Sequence, residues 1–405
     1  LRRAYLLFAT FAFVACSDET RSQPAARGAP VEQGAANTNF APAFAGQTRA
    51  PEARSNVAIN IEEVAARLEH PWAVEVMPDG RLLVTERAGR LRVISANGRA
   101  SQRVAGLPDV LVRSQGGLLD VALSPNFADD RMIYWSYAEA RGGGANGTSV
   151  ARGRLNPNAT RVDNVQVIFR QLPAWDSGGH FGSRLVFDHQ GRLFITMGDR
   201  QQREPRELAQ DVSVLIGKIA RVNVDGSVPN DNPFVDRADA RAEIWSYGNR
   251  NVQGAALHPE TGELWAVEHG PRGGDELNVI RAGRNYGWPV ISYGEEYNGA
   301  PINGGIAVQA GMEQPLYYWD PVIAPGGMLF YRGDLFPWRG DVLIAGLETQ
   351  TIVRLELDGE RVVGEERLIA GEVGRVRDIA EAADGALWIV TDEDNGRLLR
   401  LTPQR

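Results

Sequence analysis

Residues Pro78–Glu86 read PDGRLLVTE: a turn, a short apolar strand and an acidic end. The phrase returns. HQGRLFITMGD ends at Asp199, PETGELWAVE at Glu268, WRGDVLIAGLE at Glu348 and ADGALWIVTD at Asp392. A looser copy, NFADDRMIYWSYAE, ends at Glu139. Each strand is rich in β-branched and aromatic residues and follows turn residues, the signature of a β-strand entered from a tight turn. The turns centre near Gly80, Asp129, Gly191, Gly262, Gly340 and Gly385, about 45 to 80 residues apart. Each gap holds one four-stranded antiparallel sheet with its loops. Six such sheets predict an all-β, six-bladed β-propeller. A β-sandwich does not predict six similar phrases. In a propeller, loops from every blade converge over one mouth of the central channel, so a ligand there is touched by residues far apart in sequence.

Outward from the repeats, the 405-residue chain carries a net charge of −8, which argues against a nucleic-acid or general polyanion binder. Among its 43 basic residues Lys218 is the one lysine, so Schiff-base chemistry has a single candidate. At the N-terminus, Arg2 and Arg3 precede an apolar run, Ala4 to Ala15, that ends at Cys16. The run is too short to span a bilayer and has signal-peptide proportions, so residues 1–16 are expected to be a leader and the protein periplasmic or secreted. FVAC resembles a lipoprotein cleavage site, with Cys16 as a lipid anchor; plain secretion is the alternative. As the single cysteine, Cys16 leaves no disulfide to form within the chain. Residues 17–57, rich in Ala, Pro, Gly and Asn, are expected to be a disordered tether, and 58–405 the propeller domain.

Several polar stretches fall where loops should converge. His180 lies in DSGGHFGSRLVF among small neighbours, and Asp199 ends the strand that follows. A His–Asp pair fixes the tautomer and raises basicity, as a general base requires; an ordinary hydrogen-bonded loop histidine is the other possibility. WSYGNRNVQG offers Arg250 and Asn251, and GRVRDI offers Arg375 and Arg377, two apart and hence on one side of a strand. RSQGGLLD adds Gln115 in a glycine-flanked turn. In AVEHGPRGGDE, Ala266–Glu276, a strand gives way to bare backbone at Gly270, Gly273 and Gly274. His70 is expected to be structural, and His189 and His258 to lie at the surface.

Taken together, SQGGLLDVALSPNF, GGHFGSRLVF, EIWSYGNRNVQG, EHGPRGGDELN, NYGWP, YYWDPVIAPGGM and RVRDI resemble the soluble pyrroloquinoline-quinone (PQQ) dependent sugar dehydrogenases. The likeness is to the aldose sugar dehydrogenase branch of the glucose/sorbosone dehydrogenase family and runs from about Val64 to Pro403. It implies that calcium is held by the main-chain carbonyls of Gly270 and Pro271, oxygen ligands suited to a hard cation. It implies that Gln115, Arg250, Asn251, Arg375 and Arg377 contact PQQ, that Trp319 walls its plane and that Asp275 edges the pocket. His180 becomes the catalytic base and Asp199 its orienting partner. The implied reaction takes an aldose to its lactone, with electrons passed to an external acceptor, in a monomer or homodimer. One departure stands out: family members carry a lysine near the end of the fifth repeat phrase, where this chain has Glu348. Two other readings share the fold: a calcium-dependent lactonase-type hydrolase, and a non-catalytic binding propeller tethered to the cell envelope. The arginine cluster argues against the first, and the His180–Asp199 pair against the second. The loop YGEEYNGAPINGG, Tyr293 to Gly305, is a candidate sugar contact or a plain connector.

Overall fold

The computed structural model describes residues 28–404; the expected leader, with Cys16, lies outside them. Six four-stranded antiparallel sheets form a six-bladed propeller. Blades 1 to 5 take consecutive strands from residues 71–104, 118–170, 185–247, 252–319 and 325–368. Blade 6 takes three strands from 376–403, and Ile59–Leu68 pairs with Gly396–Pro403 as its fourth. The first strand of each blade faces the channel.

Every repeat phrase forms the second strand of its blade. Five of these, Leu82–Glu86, Leu193–Thr196, Leu264–Glu268, Val342–Gly346 and Leu387–Thr391, are buried at every position because blades pack on both faces. That is why the phrases are continuously apolar and do not alternate. Five of the preceding turns need a glycine: Gly80, Gly191, Gly262, Gly340 and Gly385 all have φ between +72° and +90°. Between blades 4 and 5, Trp265 meets Phe330 edge to face at 5.3 Å. His258, expected at the surface, packs its ring on the same Phe330 at 4.9 Å.

The inner strands share a further feature. In five blades the register with the second strand slips near the start of the inner strand. The residues skipped include Trp72 in blade 1, Gln253 in blade 4 and Arg377 in blade 6. A bulge re-aims the side chain it carries, and all three line one cavity at the channel mouth.

Residues 28–57 depart from the disorder that their composition implies. They form no regular strand, yet Gln47, Ala50 and Ala53 are buried, and the segment lies along blades 4 and 5. Its anchors are hydrogen bonds, not a periodic apolar face, so hydropathy does not reveal them.

Candidate active site

The N-terminal ends of the inner strands and the loops leaving the second strands share one face, as antiparallel pairing requires. There a cavity of about 330 Å³ is lined from all six blades, by Gln115, His180, Arg250, Asn251, Gly270, Pro271, Asp275, Arg375 and Arg377 among others. A larger cavity, about 820 Å³, opens at the other mouth of the channel and contains none of these residues. Between the two, Arg184 bridges Asp120 and Asp378 at 2.9 Å each. Trp72 packs against two guanidiniums, with Arg184 4.8 Å and Arg377 4.5 Å from its ring centre.

His180 is 4% exposed, and its Nδ1 lies 2.6 Å from Asp199 Oδ1. The Asp199 carboxyl is held below the usual range: burial opposes ionisation, but His180, Arg250 and the Gln201 N–H together outweigh it. An ionised carboxylate only accepts, so Nδ1 carries the proton and Nε2 keeps its lone pair. Nε2 has no partner among the described residues. Burial pushes the imidazole below its ordinary 6.5, against the pull of Asp199, so it is neutral at pH 7. Its backbone is fixed by Gln115 Oε1, which accepts from His180 N at 2.8 Å, and by Arg200, which donates to His180 O. Asn251 Oδ1 accepts from Gly182 N at 3.0 Å, steadying the same loop. Gly198 permits the approach of Asp199, since a Cβ there would fall 2.9 Å from His180 Cβ. Trp288 donates its indole N–H to Asp199 Oδ2 at 2.8 Å, and its ring lies near Arg250 and Arg206.

Four guanidiniums, those of Arg87, Arg250, Arg375 and Arg377, line this cavity. Most arginines in the chain find a carboxylate, yet none of these four has an ion pair within 4 Å among the described residues. Arg377 Nη1 donates to Gln253 Oε1, and Arg250 Nη1 to the carbonyls of His269 and Gly270. The Nε of Arg250 and of Arg377 is buried without a partner. Burial draws Arg377 down to about 10, still charged at neutral pH. Unpaired, partly unsatisfied cations at a channel mouth are a ready site for an anion.

The loop after the fourth repeat phrase is held by Asp275. Its Oδ1 accepts from Gly270 N, and its Oδ2 from Ile323 N and Ala324 N, while burial pushes its pKa up to about 7. Gly270 has no room for a Cβ against the Gly273 and Gly274 backbone. No cluster of three His, Cys, Asp or Glu able to hold a metal occurs among the described residues. A calcium ion here would therefore rest on backbone carbonyls. The Arg250 guanidinium already places positive charge on the Gly270 carbonyl, and an oxygen with two lone pairs can serve both.

Some expected site residues stand elsewhere. Trp319 is fully buried in the core between blades 4 and 5, edge to face with Tyr317 at 5.0 Å, and does not line the cavity. It ends the outermost strand of blade 4, where it pairs with Asp275. Glu348 is solvent-exposed, and its neighbour Leu347 lines the cavity in its place. Lys218 donates to the carbonyls of Leu208, Ala209 and Ile216 and lies outside the cavity. His269, Gln253, Trp72, Arg87, Tyr297 and Asp392 line it without having been singled out. Arg87 and His269 each follow directly on the acidic end of a repeat phrase, which was the available signal. His269 is also pushed well below 6.5, by burial and then by Arg377 and Arg250. Its Nε2 is engaged by Gln253 at 3.0 Å, so His180 offers the free ring nitrogen.

The fold and site thus define a six-bladed propeller with a buried His–Asp pair and unpaired guanidiniums at one mouth. The chain belongs to the glucose/sorbosone dehydrogenase family, whose model matches residues 68–400. It is 43% identical to the aldose sugar dehydrogenase YliI of Escherichia coli, over 85% of this chain and 93% of that one. The apo crystal structure of the soluble E. coli aldose sugar dehydrogenase superposes with a TM-score of 0.83 at 42% identity, over 86% of this chain and all of that one. The PQQ-bound aldose sugar dehydrogenase of Streptomyces coelicolor superposes with a TM-score of 0.71 at 28% identity, over 86% of this chain and 99% of that one.

Proposed function

We propose that this protein oxidises the C1 hydroxyl of aldose sugars to the lactone, with PQQ and calcium as cofactors, and passes the electrons to an external acceptor. The observation that carries this is the convergence of four guanidiniums without carboxylate partners on a His–Asp pair whose outer nitrogen is free. Arg87, Arg250, Arg375 and Arg377 would hold the three carboxylates of PQQ, and the carbonyls of Gly270 and Pro271 would hold calcium. When bound, PQQ would supply a hydride acceptor and calcium a Lewis acid.

The residues of the chain do the rest. His180 Nε2 accepts the proton of the C1 hydroxyl as C1 loses hydride. Asp199 keeps the imidazole in the tautomer that can accept it and stabilises the imidazolium formed. Trp288 fixes Asp199, and Gln115, Asn251 and Arg200 hold the loop of His180. Tyr297, two-thirds exposed at the rim with its hydroxyl 3.3 Å from Arg250, is placed to meet a sugar.

The test is reconstitution. Purified protein stripped of divalent ions is mixed with PQQ and calcium, and dye reduction is followed across a panel of aldoses. Turnover that needs both additions and the sugar is the expected result. Absence of saturable PQQ binding overturns the proposal and leaves a binding propeller as the better description.

A further inference from the structure

The segment ahead of the propeller carries an unexpected contact. Asp320, 3% exposed at the end of the outer strand of blade 4, accepts from Asn37 N at 2.9 Å, Asn37 Nδ2 at 2.8 Å and Thr38 N at 2.9 Å. The Thr38 hydroxyl lies between Asp320 Oδ2 at 2.9 Å and the Tyr293 carbonyl at 3.1 Å, with one proton to serve both. No other donor or cation meets this carboxylate among the described residues. A buried carboxylate is tolerated only when hydrogen-bonded, so residues 37–38 complete it.

Asp320 in turn abuts the pocket loop. A Cβ on Gly273, where φ is +79°, would fall 2.6 Å from Asp320 Oδ1. Arg272 Nε donates to Asn37 Oδ1 at 3.1 Å. Arg272 and Glu295 exchange both backbone hydrogen bonds at 3.0 Å, which locks the loop to the turn that leads to Tyr297. Further along, Arg49 donates to Asp320 O, and the buried Gln47 donates to Pro315 O and accepts from Tyr318 N. The segment is thus fixed at both ends to blade 4, and its first residue, Asn37, meets the loop through Arg272. It precedes the residues that the family model matches.

We infer that residues 37–49 are a positioning strap that sets the loop carrying the Gly270 and Pro271 carbonyls and the turn carrying Tyr297. The placement stands on these contacts; only the choice of calcium as the ion measured rests on the proposed function. The test compares full-chain N37A/T38V and T38S with the parent protein. Hydrogen exchange of the cofactor-free protein follows residues 270–275 and 293–297, and calorimetry follows calcium binding. In N37A/T38V, exchange in both stretches should quicken and calcium affinity should fall, each by about a hundredfold, the loss of two hydrogen bonds to a charged group. Exchange across 177–184, around His180, should not change. T38S keeps the hydroxyl and should behave as the parent. Unchanged exchange in 270–275 and 293–297 overturns the inference, as does equal quickening around His180. Quickened loops in a protein that binds no calcium in any form uphold the strap and refute the calcium assignment.

Discussion

Replacing Trp288 with Phe removes one hydrogen bond and leaves a ring between Arg206 and Arg250. The lost bond is the indole N–H to Asp199 Oδ2, 2.8 Å and buried. A hydrogen bond to a charged group contributes about 1.5–3 kcal/mol. Asp199 keeps the Gln201 N–H and His180 Nδ1 on its other oxygen, so the carboxylate becomes more basic without being freed. That added basicity passes to His180. One pKa unit corresponds to about 1.4 kcal/mol, so the imidazole should rise by about one unit. In the parent protein the imidazole lies below 6.5, and its neutral form is the base. Activity should therefore fall only as pH drops through that lowered value, and in W288F this acid limb should move up by about one unit. The assay is kcat/KM against pH for the reconstituted protein, with an NMR titration of the His180 ring as a check independent of turnover. An acid limb that stays in place or moves down refutes the coupling from Trp288 through Asp199 to His180.

Other expectations follow from the same geometry. H180Q should lower kcat by about 10²–10⁴-fold while PQQ affinity, measured by fluorescence quenching, changes by no more than about threefold. R377A should weaken PQQ binding by about 10- to 100-fold in a titration, because a buried cation with no carboxylate within ion-pair distance is lost. G198A should reduce kcat with little change in cofactor affinity, since its methyl group would drive into His180; stopped-flow reduction of bound cofactor separates the two. W135A, which empties a fully buried position between blades 1 and 2, should cost about 3–5 kcal/mol in chemical denaturation.

The repeat phrases made the architecture legible because each is one whole buried strand with its turn, a local signal repeated six times. The site was legible where a residue's loop alone dictates its place: His180 among glycines, Arg250 and Asn251 just before an inner strand, Gly270 and Pro271 just after a second strand. It was not legible where a bulge decides. Trp72 and Gln253 enter the cavity because their strands slip by one residue, while Arg377, singled out by its spacing from Arg375, sits at a slip of the same kind. Side-chain alternation carries no mark of a slip. Trp319 shows the converse: a family-like motif fixed its neighbourhood but not its depth, and the outer strand buries it in the core. The strap was missed because Asn37, Thr38 and Gln47 are polar residues whose partners lie more than 240 positions away.

Ring closure has a consequence for assembly. The strand at Ile59–Leu68 pairs with Gly396–Pro403, more than 320 residues further along, so the sheet it begins is completed only once that distant stretch has folded back. Contacts this distant in sequence form slowly, because the intervening chain must first be gathered. The cavity draws on all six blades, so a chain cut short by one blade would have no half-affinity for its ligand. Ligand capture at this mouth therefore reports that the ring has closed.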